Sequence, residues 1–179
     1  MDESASPPLT VDEAFRLHGA AVTRWALRLG GPSLDLDDTV QEVFLRVQKD
    51  LSGFRGEAQL TTWLYRITQN VVGARRRKER YRRWLGGTAS EVAGHLPATT
   101  LTPVDELERR QAGERLYRVL DRMSEKYRTV FILFELERLS GEEISQVTGA
   151  KVETVWVWLH RARAQFQKEV ARLQAEEPL

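Results

Sequence analysis

Between Arg75 and Arg83 the chain carries seven basic side chains (Arg75, Arg76, Arg77, Lys78, Arg80, Arg82 and Arg83) against one acid, Glu79. Like charges at this density repel one another along a helix, and a polyanion relieves the repulsion. Tyr81 and Trp84 interleave the run, and rings set among cations suit stacking on bases. A helix end needs far fewer cations to complement its dipole, so the excess points to nucleic acid. The opposite chemistry lies upstream. At about 100° per residue, Asp38, Gln41, Glu42 and Leu45 share one helix face, opposite an apolar stripe. Such a face either docks a basic helical partner or is an ordinary solvated surface. A third group sits near the C-terminus, where Glu153, Val157, His160, Arg161 and Ala164 face away from a core stripe. There Arg161 can donate to guanine and His160 to a base or phosphate, while Lys151, Arg163 and Lys168 suit phosphate. A solvated helix surface is the competing reading.

Other chemistries lack their residues. The 179-residue chain has no cysteine, which excludes disulfides, Cys-ligated zinc and thiol redox sensing. His18, His95 and His160 are too far apart in sequence to suggest a metal set. No nucleophile–base–acid set and no phosphate loop is present, so the expectation is a protein that is not an enzyme and needs no cofactor or metal. No apolar run approaches membrane-spanning length and Met1–Thr10 is acidic and polar, so a cytoplasmic protein without a membrane span is expected. Hydrophobic content of 41% and charged content of 30% suit a helical globular protein. The net charge is only +1, yet residues 1–86 hold 14 basic and 11 acidic side chains and residues 87–179 hold 13 and 15. The basic character is local.

The elements that position these groups read as helices throughout. Residues 1–10 read as a disordered leader, and Thr10 is expected to cap a helix with Val11, Phe15, His18, Val22, Trp25 and Leu29 on one side. Gly30, Gly31 and Pro32 end it, and residues 33–37 cap the acid-tipped helix. That helix buries Leu36, Val40, Val43, Phe44, Val47 and Leu51. After a Gly-bounded turn, the next helix buries Leu60, Trp63, Leu64, Ile67 and Val71, and points Thr62, Arg66, Gln69 and Gly73 outward. Residues 86–103 lose all periodicity and read as a flexible linker. Helical composition resumes with Leu107, Ala112, Leu116, Val119 and Leu120 as a stripe, and Ser124 caps the following helix. Ser140 with Glu143 makes a capping box. A short helix, Gly149 and a longer helix bearing Val155, Leu159, Ala162, Phe166 and Val170 then make a helix-turn-helix. The predicted fold is all-α, with two small helical domains over residues 11–85 and 104–174.

The runs DDTVQEVFLRV, FRGEAQLTTWLYRITQN, EEISQVTG and ETVWVWLHRAR, in this order, resemble bacterial sigma factors. The resemblance is to the extracytoplasmic-function (ECF) group of the sigma-70 family and covers most of the chain. It implies that the chain binds core RNA polymerase, through the largest-subunit clamp helices and the flap, and recognises promoter DNA. Asp38, Gln41 and Glu42, with Leu45 beside them, would dock on the clamp helices. Asn70, with Phe54 and the turn of residues 53–59, would form a pocket for an unstacked base of the −10 element, which must be both stacked and hydrogen-bonded. Trp63 is either a core anchor or a strand-separating wedge. Arg66 and Arg75, Arg76, Arg77, Lys78 and Arg80 would track phosphates of opening DNA. In the second domain Trp156, Val157, His160 and Arg161 occupy positions that touch the −35 element, with Lys151, Glu153 and Arg163 beside them. Trp156 and Trp158 stand where the family usually has basic or small polar residues, and Ser124 where a proline is common. Trp158 reads as part of the buried face, and Trp156 either joins it or packs on a thymine methyl or sugar. An anti-sigma partner is common in this group. The alternative is a free-standing helix-turn-helix regulator, which leaves the acidic face and the Trp–Asn–Arg stretch unexplained.

Overall fold

The computed structural model describes residues 10–54, 59–85 and 103–176. Seven α-helices run through them: α1 (Val11–Gly30), α2 (Leu36–Asp50), α3 (Leu60–Trp84), α4 (Pro103–Arg122), α5 (Glu125–Phe131), α6 (Gly141–Thr148) and α7 (Val152–Glu176). A 3-10 turn, Leu51–Gly53, follows α2, and a π turn, Ile132–Leu136, continues α5. No strand occurs among the described residues. The leader through residue 9 and linker residues 86–102 lie outside them.

Local sequence sets the helix ends. Thr10 accepts from the Glu13 amide at 3.2 Å while its own amide donates to the Glu13 carboxylate at 3.0 Å. Ser140 and Glu143 make the same reciprocal pair at the start of α6. Asp35 caps α2 through the Asp38 amide. Ser124 stands at the N-cap position of α5 without a side-chain cap bond; its backbone amide donates instead to Gln165 on α7. Gly149 takes a left-handed conformation (φ 72°) between α6 and α7, so the turn falls where expected.

In the first half α1, α2 and α3 pack around Val22, Trp25, Leu29, Val43, Phe44, Val47, Leu64 and Val71. In the second, α5, α6 and α7 pack around Val130, Phe131, Ile132, Ile144, Val155 and Leu159. These apolar groups form one cluster, because α3 also packs on α6 and α1 on the π turn. That contact revises the expected stripe of α3. Tyr65, Thr68, Val72 and Gly73 are buried as well, and Gly73 does not point outward, because α3 is covered on a second side. On α1 the small Ala14 is buried and Phe15 stays 56% exposed, set edge-on to Phe44 at 4.9 Å between ring centroids. Leu107 and Ala112 on α4 are exposed rather than packed.

The halves are joined at the end of α1. The Tyr117 hydroxyl approaches the Leu27 and Arg28 carbonyls at 3.4 and 3.3 Å, and the buried Arg128 donates to the Leu29 carbonyl. Arg28 donates to the Leu136 carbonyl at 2.5 Å and pairs with Glu137 at 3.0 Å. Gly31 leaves α1 with φ 86° and ψ −179°, a region essentially restricted to glycine. A Cβ there would also lie 2.9 Å from the Tyr117 ring. Gly31→Ala is therefore expected to lower stability in urea by about 1–3 kcal/mol. Gly149→Ala, which meets open space, should lose about 1–2 kcal/mol from backbone conformation alone. An unchanged urea midpoint for Gly31→Ala would contradict the close approach of Tyr117.

Candidate nucleic-acid interface

The basic run forms the last third of α3, and its members have different neighbours. Arg75 bridges back to α2, with its guanidinium 2.7 Å from Asp38 and 2.7 Å from Glu42. Both carboxylates keep its proton on, raising its pKa against the opposing effect of partial burial. Glu42 is held on its other oxygen by Arg46 at 3.1 Å. Arg76 points into the second half and meets Asp121 at 2.8 Å and Glu125 at 3.4 Å, with only 12% of its side chain exposed. Arg80 reaches Glu125 at 3.1 Å. Arg82 pairs with Glu79 at 2.9 Å, and Arg83 lies 3.9 Å from the same carboxylate. Arg77 and Lys78 are exposed and have no ion pair among the described residues. Tyr81 and Trp84 are exposed neighbours with ring centroids 6.1 Å apart. The surface open to a phosphate backbone is thus narrower than seven charges suggest.

The remaining groups assigned to the −10 element lie along α3. Trp63, Arg66 and Asn70 lie three and four residues apart, near one line along the helix. Arg66 and Asn70 are exposed. Trp63 is half-buried, packed on the core and tilted against Phe54 at 5.1 Å between ring centroids. Most of the turn between Phe54 and Gln59 lies outside the described residues. Asn70 and Arg66 line a cleft of about 320 Å³ whose far wall is Glu125, Lys126, Val147, Thr148 and Trp158. The acidic face of α2 is not enclosed: Asp38 keeps 58% side-chain exposure, and Gln41 and Leu45 are exposed. A second groove, of about 530 Å³, runs between that face and the basic run, lined by Asp35, Asp38, Glu42, Arg75, Lys78 and Arg82 among others.

On α7 the outward face is as the periodicity places it. Lys151, Glu153, Trp156, Val157, His160, Arg161 and Arg163 are all exposed. Trp156 is 46% exposed because one side of it is taken. Its indole lies over Gly141, where a Cβ would come within 2.8 Å, and edge-on to Phe134 at 5.7 Å. Trp156 therefore braces the start of α6 and presents its other side outward. Trp158 is half-buried beside the Lys126 ammonium, 5.0 Å from its ring. The neighbouring Arg161 guanidinium holds the Tyr127 phenol below its ordinary pKa. Arg163 pairs with Glu135 at 2.7 Å over the Phe134 ring. Periodicity could not reveal that Arg75, Arg76, Arg80 and Arg163 have carboxylate partners, since those partners lie 28 to 49 residues away. Asp121 and Glu125 carried no sequence signal at all. Among the described residues no group of acids and histidines could hold a metal ion, and no helix is long and apolar enough to cross a membrane.

Two family descriptions match the two halves. Residues 14–83 match Sigma-70 region 2 and residues 113–166 match Sigma-70, region 4. An ECF RNA polymerase sigma factor, SigE of Mycolicibacterium smegmatis, is 32% identical over 98% of this chain and 66% of its own length. That share is just under two thirds of SigE. An ECF RNA polymerase sigma-E factor of Haemophilus influenzae is 30% identical over 78% of this chain and 76% of its own. Among solved structures, the sigma factor RpoE of Bartonella quintana, crystallised with the anti-sigma factor NepR, superposes with a TM-score of 0.65. Its identity is 20%, over 89% of this chain and 96% of that one, which speaks to the fold alone. Regions 2 and 4, in order along one all-helical chain, identify it as a member of the sigma-70 family of RNA polymerase sigma factors, in the ECF group.

Proposed function

We propose that the chain binds core RNA polymerase through α2, captures the opened −10 strand along α3 and reads the −35 element with α7. The observation that carries this reading is the placement of three separate exposed surfaces within the two matched regions. They are the acidic end of α2, the Arg66–Asn70 line of α3 and the outer face of α7. Each suits a different part of one task. Asp38, Gln41 and Leu45 offer an acidic, partly apolar face to basic helices. Asn70 offers a donor and an acceptor to the edge of an extruded base, with Arg66 beside it for phosphate. Arg161, His160 and Val157 offer base-edge and methyl contacts to a major groove. The two DNA-reading parts, residues 11–85 and 104–174, act as modules on one tether, so modest contacts sum on a shared enzyme.

Sigma factors are generally non-catalytic, and melting requires no bond-making from this chain; trapping an unstacked base shifts the duplex toward its open form. The reading places the protein in the cytoplasm with the polymerase, and an anti-sigma factor as a regulatory partner belongs to it too. The ion pairs sharpen the residue roles. Arg75 is a strut that holds the α2 carboxylates to α3, and Glu42, engaged on both oxygens, supports the docking face while Asp38 presents it. The first contacts to phosphate fall to Arg77 and Lys78.

In vitro transcription with core polymerase on a promoter library tests the reading; no polymerase-dependent initiation from any promoter would sink it. Asn70→Ala should reduce open-complex formation by at least tenfold while leaving closed-complex affinity within about twofold, as read by permanganate footprinting and gel shift. Arg77→Gln with Lys78→Gln should lower the slope of log affinity against log salt by about 0.9 for each lost phosphate contact. Arg75→Gln should leave that slope unchanged and instead weaken polymerase affinity, and a slope change would return Arg75 to the DNA surface.

A further inference from the structure

The last stretch of α3 carries apolar surface that the fold does not use. The buried residues of this helix end at Gly73, yet Tyr81, Trp84 and Leu85 follow with 62%, 78% and 63% of their surface exposed. The Tyr81 and Trp84 rings lie beside one another, with centroids 6.1 Å apart and planes tilted by 32°. Neither ring is among those packed on the core. At 3.6 residues per turn, Arg66, Asn70, Gly73, Arg77, Tyr81 and Trp84 fall within an arc of about 80° along α3. Asn70, Gly73 and Arg77 line one recess of about 70 Å³. The line therefore runs on from Asn70 through a cation to two rings, which lie about 17 and 21 Å further along the helix axis. The cations nearest the rings are also the open ones. Arg80, Arg82 and Arg83 meet carboxylates, whereas Arg77 and Lys78 have no ion pair among the described residues. These two stand four and three residues before Tyr81, on its side of the helix. Exposed rings beside open cations match single-stranded nucleic acid, whose base faces stack on rings while its phosphates meet the cations. A duplex keeps its bases stacked on one another and offers no free face. A base inserted between Tyr81 and Trp84 would need about 7 Å, twice a van der Waals contact of ~3.5 Å, so a base stacks on an outward face instead.

We propose that Tyr81 and Trp84 form a second station for unpaired bases of the opened strand, beyond the Asn70 pocket, with Arg77 and Lys78 holding the phosphates between the two. One base is held at Asn70 by its edge and another at the rings by its face, so a longer stretch of strand is kept from re-pairing. Stacking needs a π face and no particular edge, so the station is indifferent to base identity. This rests on the proposed nucleic-acid role of α3, and the test separates the two.

The experiment compares the full wild-type chain with Tyr81→Ala/Trp84→Ala and with Tyr81→Phe/Trp84→Phe. Anisotropy follows binding to three fluorescein-labelled DNA probes of equal length across a salt series: a single strand of mixed sequence, the same strand in duplex, and an abasic single strand. Unchanged helical circular dichroism establishes that each variant is folded. The alanine variant is expected to lose about tenfold or more in affinity for the single strand, and less than about threefold for the duplex and the abasic strand. Its salt slope on the single strand should match that of wild type, because no phosphate contact is lost. The phenylalanine variant keeps a π face at both positions and should stay within about threefold of wild type on every probe. Equal single-strand affinity for wild type and the alanine variant, equal losses on single strand and duplex, or a loss that phenylalanine does not restore overturns the station. Should the double alanine variant unfold, Trp84→Ala alone replaces it, and wild-type affinity of that variant for the single strand overturns the station. Transcription by wild type with core polymerase is scored in parallel. If initiation occurs while the alanine variant binds the single strand as wild type does, the station alone fails. If initiation never occurs while the probes bind as expected, the functional reading alone fails.

Discussion

The carbonyl groups at the end of α1 set much of this architecture. A helix leaves its last four carbonyls without internal partners, and when that end is buried something else must satisfy them. Here the Gly31 amide serves Leu27 locally, and the other partners come from far along the chain. Tyr117 serves Leu27 and Arg28, Arg128 serves Leu29, and Arg76 approaches Gly30 at 3.5 Å. Guanidinium groups at a helix C-terminus also meet the negative end of the dipole. Gly31 then turns the chain away with a backbone that lets the Tyr117 ring lie against it. One helix end thus gathers α3, α4 and α5, and fixes which surfaces of the two halves meet.

That gathering explains how a chain with a net charge of +1 can carry a dense basic run. The run is largely neutralised inside the molecule: one arginine by α2, two by the α4–α5 corner, and two by Glu79 within α3. Local charge therefore measures the potential of a segment, and the fold determines how much is available to a ligand. The same principle acts on α7, where Arg163 is engaged by Glu135 while keeping exposed surface. Engaged arginines of this kind are already oriented, which lowers the entropy lost when they bind.

The second half shows how a departure from the family pattern is accommodated. Trp156 on the outer side of α7 would ordinarily expose a large apolar ring. Gly141, the first residue of α6, makes room beneath it, and Phe134 of the π turn closes its edge. The ring is half a packing element and half a surface, so substitution at 141 would disturb the outer face of α7 although residue 141 lies on another helix. The π turn is part of this arrangement, since it carries Glu135 for Arg163 and Phe134 for Trp156 within one irregular turn.

Helix type, caps and turns were legible in the sequence because they depend on neighbours within four residues. Thr10, the Ser140–Glu143 pair and Gly149 act where their types placed them, whereas Ser124 holds its N-cap position without a side-chain cap bond. The exposed candidates Asp38, Gln41, Val157 and His160 were legible for a related reason: a helical period separates inside from outside wherever a helix has one partner. The reading failed where a helix has more. On α3 Tyr65, Thr68, Val72 and Gly73 are buried as well, because the helix packs on α6 in addition to α1 and α2, and no periodicity announces a further neighbour. The fate of the arginines was equally hidden. A guanidinium group has the same chemistry whether it waits for phosphate or holds a carboxylate, and the choice rests on distances between residues remote in sequence. The sequence by itself determined an all-helical chain with an acidic face, a basic run and a helix-turn-helix. Tertiary structure alone decided which of those charges remain open, because only folding brings Asp121 and Glu125 within reach of Arg76 and Arg80.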